Sequence, residues 1–196
     1  MSNEINLQLS TVGAYYPDST LAALKRTYLT SGRCVALPPR NSRWYFTTND
    51  EATLSVDDAP LHFKVVGVLR ECAFSAAYPH ITIIPLFERD AATFDTLTSG
   101  TTVTDWDLNP DGLRAPVHLA INKTRDVPTI DATSTFSNGA AYSDITIPSI
   151  ALKRNDIIIA HTTAHLEASF VAPPRYSFTV HQLTLVHSAT DQEAGL

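Results

Sequence analysis

Short runs in which apolar and polar residues alternate dominate the chain, and they predict β-strands. Tyr176–Val180 alternates strictly, which indicates a strand with one buried face. The apolar positions change parity at Leu183 and Leu185, so we expect a β-bulge near Gln182 or burial on both faces. The predicted strands are residues 43–47, 52–56, 61–72, 80–87, 117–121, 145–152, 156–163 and 176–187.

One helix is predicted, at residues 19–30. Pro17-Asp18-Ser19 supplies a cap, Leu21 and Leu24 recur at helical spacing, and Gly32 ends the pattern. An α/β fold needs helices between its strands, whereas this pattern supplies a single strong helix. The prediction is therefore an all-β fold, a two-sheet antiparallel sandwich of the jelly-roll type with about eight strands.

Length and composition indicate a folded single domain. The 196 residues are 44% hydrophobic and 17% charged, which is too apolar for intrinsic disorder. We expect one domain over residues 1–196, with an N-terminal arm at 1–16 and a C-terminal tail at 191–196. No apolar run is long enough to span a membrane, and the first residues do not read as a secretory signal.

The charge is acidic overall, with a local basic cluster. A net charge of -6 argues against a protein that coats nucleic acid in general. Basic residues nevertheless gather in one stretch, where they predict contact with RNA or another anionic partner. These residues are Lys25, Arg26, Arg33, Arg40 and Arg43.

Three aromatic residues are candidates for binding sugar rings. Trp44, Tyr45 and Trp106 could present flat apolar faces to a carbohydrate, and the alternative for each is a place in the core. A soluble carbohydrate-binding module is therefore one alternative function.

The segment from His161 to Glu167 is the best candidate for enzyme chemistry. On a strand, His161, His165 and Glu167 share one face, and His165 lies about 6.6 Å from Glu167, close enough to share a metal. A metal-dependent small-barrel enzyme is the second alternative. The remaining histidines are interpreted as packed or surface residues. No serine-hydrolase elbow or phosphate-binding glycine loop is present, so we expect no enzyme and no cofactor.

The C-terminal part, residues 153–191, resembles the jelly-roll coat proteins of small icosahedral plant viruses, the tymovirus group in particular. Gln182 and Ala189 depart from the family pattern. The resemblance is carried by the apolar strand Asp156–Ala160, the Pro173-Pro174 connection, and the closing pairs Thr179-Val180, His187-Ser188 and Thr190-Asp191.

This resemblance implies a virion structural protein, a capsid or capsid-surface subunit. Its main partner would be other copies of itself in a shell or ring, with light contact to genomic RNA through the basic cluster and no membrane partner. The implied location is the virion, after synthesis in the host cytoplasm.

Overall fold

The computed structural model describes residues 16–30, 41–48, 51–87, 117–121, 126–139, 145–167 and 175–191. The helices are α1 (Asp18–Thr30) and α2 (Thr133–Asn138), and a 3-10 turn spans Ser149–Ala151. The strands are β1 (Arg43–Phe46), β2 (Glu51–Val56), β3 (Ala59–Pro60), β4 (His62–Ala73), β5 (His80–Pro85), β6 (Val117–Ile121), β7 (Thr129–Asp131), β8 (Thr146–Ile147), β9 (Ile157–Glu167) and β10 (Arg175–His187).

Most of the predicted elements are confirmed. The helix and seven of the eight predicted strands lie where the pattern places them. The predicted strand 145–152 is wrong, because Pro148 has a fixed φ and no N–H, so β8 ends there and the 3-10 turn begins. The bulge predicted near Gln182 is confirmed as a register shift between Val180 and Gln182.

Five of the strands close into a barrel. β4, β5 and β6 form an antiparallel meander, and β6 then pairs with β10 in parallel. β10 pairs with β9, and β9 returns to β4, both antiparallel. β1 and β2 extend the sheet beside β9, while β7 and β8 extend it beside β10.

The mostly-β prediction is confirmed, and the two-sheet sandwich of the jelly-roll type is not. Hydrogen bonds join the described strands into one ten-stranded sheet, and two of its pairings are parallel. A closed five-stranded barrel in which the third and fifth strands run parallel has the strand order of the OB fold.

Apolar side chains fill the inside of this barrel. β4 and β5 approach closely at Gly67, where a Cβ atom would lie 2.9 Å from the carbonyl oxygen of Ile84. Each fully buried aliphatic or aromatic side chain contributes about 1.5–3 kcal/mol to folding. The interior includes Phe63, Val65, Leu69, Ile81, Ile83, Leu119, Ile158, Ala160, Phe178 and Leu183.

The two helices cover part of the barrel's outer surface. Leu24 of α1 and Phe136 of α2 are buried in a second apolar cluster with side chains of β4 and β9. Tyr16, the last residue of the predicted N-terminal arm, joins this cluster, and its hydroxyl donates a hydrogen bond to the carbonyl of Asn155. Both helices therefore stabilise the barrel from outside.

A buried carboxylate fastens the start of β9 to the end of β10. The Asp156 side chain accepts hydrogen bonds from the backbone N–H of Lys153, at 2.7 Å, and of Ala189, at 2.8 Å. Burial raises the pKa of Asp156, and the two hydrogen bonds oppose that rise. The carboxylate thereby fixes where the β9–β10 pair begins.

Replacing Asp156 by alanine should destabilise the fold by about 2–4 kcal/mol, because the buried N–H of Ala189 and the partly buried N–H of Lys153 lose their acceptor. Chemical denaturation of purified protein measures this free energy of unfolding. Asp191→Ala is the matched control, since Asp191 is exposed and contacts Lys153 only at the surface, so little change is expected. Equal effects of the two substitutions would contradict the role assigned to Asp156.

Candidate nucleic-acid interface

The outward side chains of β9 change from apolar to polar halfway along the strand. Ile157 and Ile159 point out of the barrel and are buried beneath the helices. The next three outward positions are His161, Thr163 and His165. The prediction that His161 and His165 share one strand face is therefore confirmed.

The outward side chains of β4 also change from apolar to polar, at the position that pairs with this change in β9. Val68 and Val66 lie under the helices, whereas Lys64 and His62 follow toward the start of the strand. Lys64 pairs directly with His161, so the two changes coincide across the sheet. Half of the outer surface is therefore covered, and the other half is polar.

Strand pairing brings polar and aromatic side chains together on the half that neither described helix covers, because directly paired residues point to the same side of a sheet. We call this surface the histidine face. It carries six of the seven histidines of the chain. Its members are Tyr45, Thr53, His62, Lys64, His80, Thr82, His118, Ala120, His161, Thr163, His165, Ser177, Thr179, His181 and Gln182.

Two rows of paired residues cross this face. One row runs from Tyr45 through Thr53 and His165 to Ser177, across four neighbouring strands. The Tyr45 side chain is 49% exposed at the end of the row. The other row consists of His62, Thr163, Thr179, Ala120 and His80.

The hydroxyl of Thr163 holds two of the imidazole rings. Its Oγ1 atom lies 2.8 Å from Nε2 of His165 and 2.8 Å from Nε2 of His181. One hydroxyl has one proton, so it can donate to at most one of the two rings and must accept from at least one of them. The His62 and His181 rings meet edge to face, with centroids 5.5 Å apart.

The other side of His165 is also fixed. Its Nδ1 atom lies 3.1 Å from the Thr53 hydroxyl and 3.6 Å from a carboxylate oxygen of Glu51. Both ring nitrogens therefore have partners, and the ring plane is set by Thr53 and Thr163 together.

A second pair of imidazoles lies on β5 and β6. The His80 and His118 rings have centroids 5.6 Å apart, and Nδ1 of His118 lies 3.0 Å from the Thr82 hydroxyl. Nδ1 of His80 donates to the carbonyl oxygen of Tyr78 at 3.0 Å. The side chain of Tyr78, in the turn between β4 and β5, is 87% exposed.

Burial keeps part of this face neutral. Burial, together with smaller effects of the charges of Lys64 and His62, lowers the pKa of His161 to about 4. Burial also lowers the pKa of His165, against the opposing effect of Glu51. At neutral pH these two rings are uncharged, while Lys64 is a fixed cation.

The predicted basic cluster is divided among different parts of the chain. Arg43 lies on β1 beside Tyr45 and forms an exposed ion pair with Asp58 at 3.8 Å. Lys25 and Arg26 lie on α1. Arg33 and Arg40 lie outside the described residues.

The predicted sugar-stacking residues are separated as well. Trp44 packs against the barrel core and against Tyr176, with ring centroids 5.6 Å apart. Tyr45, the next residue, points to the histidine face. Trp106 lies outside the described residues.

His165 and Glu167 point to the same side of β9, as predicted. Among the described residues, however, no group of three or more His, Cys, Asp or Glu side chains is placed to hold a metal ion. His165 uses its nitrogens on threonine hydroxyls instead. The geometry therefore gives no support to the metal-enzyme alternative.

Sequence reasoning interpreted His62, His80, His118 and His181 singly, as packed or surface residues. The parity within each strand was readable. The order in which the strands neighbour one another was not, and that order is what gathers these residues into one surface.

The low pKa of His161 predicts an acid-sensitive fold. A folded-state pKa of about 4, below the ordinary 6.5, means that the unfolded chain binds more protons between these values. This contribution is complete above about pH 6.5 and is lost as the pH falls toward 4. His161→Gln should therefore flatten the decline in unfolding free energy between pH 7 and 5, by on the order of 1–2 kcal/mol after allowance for solvent screening.

Denaturant unfolding of both proteins at several pH values measures this difference. The difference between the two proteins should be constant between pH 7 and 8. Parallel stability curves down to pH 5 would show that His161 is not the group responsible.

Comparison with solved structures finds weak likenesses to two phage proteins. One is a single-stranded DNA-binding protein from bacteriophage Enc34 in a C-terminally truncated form, with a TM-score of 0.44, 7% identity, and coverage of 75% of this chain and 95% of that one. The other is gp2.5, a single-stranded DNA-binding protein encoded by bacteriophage T7, with a TM-score of 0.40, 13% identity, and coverage of 67% and 89%.

The comparisons with sequences give no relatives. No protein-family model matches the chain, and no curated protein matches it. Within the part of the chain that the structure describes, no helix has the length and apolarity to cross a membrane.

The coat-protein prediction is corrected. The segment 153–191, which carries that resemblance, contains β9 and β10 of a closed barrel and not strands of two facing sheets. The two solved structures described above are single-stranded DNA-binding proteins, neither a coat protein nor a lectin. The assignments as a tymovirus-like coat protein, a virion structural protein and a carbohydrate-binding module are therefore wrong.

Proposed function

We propose that this protein binds single-stranded nucleic acid across the histidine face. The observation that carries the proposal is the gathering of six imidazoles and two exposed tyrosines, Tyr45 and Tyr78, around one outer surface of a five-stranded barrel. Barrels with this strand order bind oligonucleotides on the outer face of their second and third strands. Here those strands are β5 and β6, which carry His80 and His118.

The chemistry of the face suits unpaired bases. Single-stranded nucleic acids bind by stacking bases on aromatic side chains, including tyrosine and histidine, and each stacked base contributes about 1–3 kcal/mol. The His161 and His165 rings are neutral, so a base can stack on them without the free-energy cost of removing water from a charged group. Duplex bases are already stacked on each other, so the face should select single strands.

The charges on this side of the sheet are mixed, so the net electrostatic attraction is small. Lys64 lies within the face and Arg43 at its edge, where they can contact phosphates, while strand pairing places Glu51, Glu71 and Glu167 on the same side. Each such contact on a single strand adds about -0.7 to the slope of log affinity against log salt. A shallow salt dependence is therefore consistent with the net charge of -6.

Other sequence-based expectations stay predictions. These are the absence of enzymatic activity, association with other copies of the chain, and contact with RNA in particular. Location in a virion rested on the coat-protein resemblance and also stays a prediction. RNA enters the experiment below as a competing ligand, and light scattering of the purified protein measures self-association.

Tyr45→Ala and Tyr78→Ala should each weaken binding of a fluorescently labelled single-stranded DNA oligonucleotide at least fivefold, because each removes one stacking surface. Fluorescence anisotropy measures the affinity. Phe46→Ala is the matched control: Phe46 is 55% exposed on the same strand as Tyr45 but points to the opposite side. The control should bind as the parent does.

The same titration with duplex DNA should give weaker binding, and single-stranded RNA of the same sequence shows whether the sugar is recognised. The proposal fails if no single strand binds. It also fails if all three substitutions, including Phe46→Ala, have equal effects.

A further inference from the structure

Thr163 lies within the histidine face, but its own side chain is not available to a ligand. It is only 3% exposed, and it pairs directly with His62 on β4 and with Thr179 on β10. A buried threonine offers no surface on which a base can stack. Any role of Thr163 in binding must therefore act through the two imidazole rings that its hydroxyl contacts, those of His165 and His181.

The surroundings of His165 determine which of its nitrogens carries the proton. The ring is uncharged at neutral pH, so one of the two nitrogens is protonated. A carboxylate oxygen of Glu51 lies 3.6 Å from Nδ1, and its negative charge favours a proton at that atom. Nδ1 then donates to the Thr53 hydroxyl, at 3.1 Å. The lone pair of the His165 ring is therefore at Nε2.

The Thr163 hydroxyl passes this arrangement on to His181. Nε2 of His165 has no proton to give, so Thr163 donates to it across 2.8 Å. That bond uses the single hydroxyl proton, and the second contact of 2.8 Å must therefore be donated by Nε2 of His181. The His62 ring meets the His181 ring edge to face, so it packs against a ring that is already held. The hydrogen bonds consequently run in one direction, from His181 through Thr163 to His165.

We propose that Thr163 is a positioning residue that orients the His165 and His181 rings for stacking with the bases of a single strand. This proposal rests on the proposed function. A side chain that is already fixed loses little conformational freedom when a ligand binds, and such preorganisation increases affinity. The proposal also assigns the protons: His165 carries N–H at Nδ1, and His181 carries N–H at Nε2.

Thr163→Val keeps the branched shape of the side chain and removes the hydroxyl. It should weaken binding of a labelled single-stranded DNA oligonucleotide by about threefold to tenfold, because the two rings lose their shared partner. Thr163→Ser retains the hydroxyl and should restore the affinity of the parent. Thr179→Val is the matched control, since Thr179 lies directly opposite on the same face while the two rings bond to Thr163. Fluorescence anisotropy measures all four affinities.

NMR of nitrogen-labelled histidine rings gives a second readout, which a merely structural role would not move. At about pH 8, where the rings are neutral, the parent should show N–H at Nδ1 of His165 and at Nε2 of His181. Thr163→Val should give a mixture of tautomers in His181, and Thr179→Val should not. Saturating single-stranded DNA should leave both tautomers of the parent unchanged, because the rings are already in place. This last measurement needs no substitution, so it decides even if Thr163→Val does not fold.

The outcomes separate the two proposals. If single strands bind in a Tyr45-dependent way but Thr163→Val binds as the parent does, the positioning role is overturned and the proposed function stands. Equal losses in Thr163→Val and Thr179→Val would assign the effect to the polarity of the face and also overturn the role of Thr163. A parent spectrum with the His165 proton at Nε2, or tautomers that change on binding, would overturn it as well. If no single strand binds the parent, the proposed function fails and this proposal fails with it.

Discussion

Pairing of β9 along both of its edges is the constraint on which the rest of the structure depends. β4 bonds to one edge of β9 and β10 to the other, and these two ladders close the barrel. Side chains alternate with a period of two, so the register decides which set faces inward. In the observed register Ile158 and Ala160 enter the core, and His161 and Thr163 lie outside. A slip of one residue would turn His161, Thr163 and His165 toward the core and turn Ile158 and Ala160 out of it. The two hydrogen bonds accepted by Asp156 oppose such a slip at the first residue of the strand.

The elements of this fold could be predicted from local patterns, and their arrangement could not. Strict alternation identifies β10, a cap and helical spacing identify α1, and Pro148 explains the one strand that was wrong. Closure instead depends on parallel pairing between Ala120 and Thr179, which are far apart in the sequence. No local pattern encodes that contact. A similar set of short strands is compatible with two facing sheets, and for that reason the jelly-roll prediction was physically reasonable and still unconfirmed.

The residues of the candidate site could likewise be predicted from the sequence, but their arrangement could not. The shared parity of His161 and His165 was readable, and so was the aromatic character of Tyr45. Whether these residues form one surface depends on strand neighbours that the sequence pattern does not give. Tyr45 and His165 lie in the same row because both pair with Thr53 on β2. The acidic net charge argued against nucleic-acid coating, and that argument applies to binding by phosphate neutralisation. It does not apply to binding by base stacking, where the low pKa of His161 favours an uncharged ring.

The outside of the barrel thus divides into two surfaces with different chemistry, one apolar and one polar. The described helices bury the apolar half, which stabilises the barrel, and neither of them lies over the other half. On the polar half, hydroxyls such as that of Thr163 can both donate and accept, so the face as a whole imposes no single hydrogen-bonding pattern on a base. Stacking on the face is therefore expected to depend little on the base sequence of the bound strand.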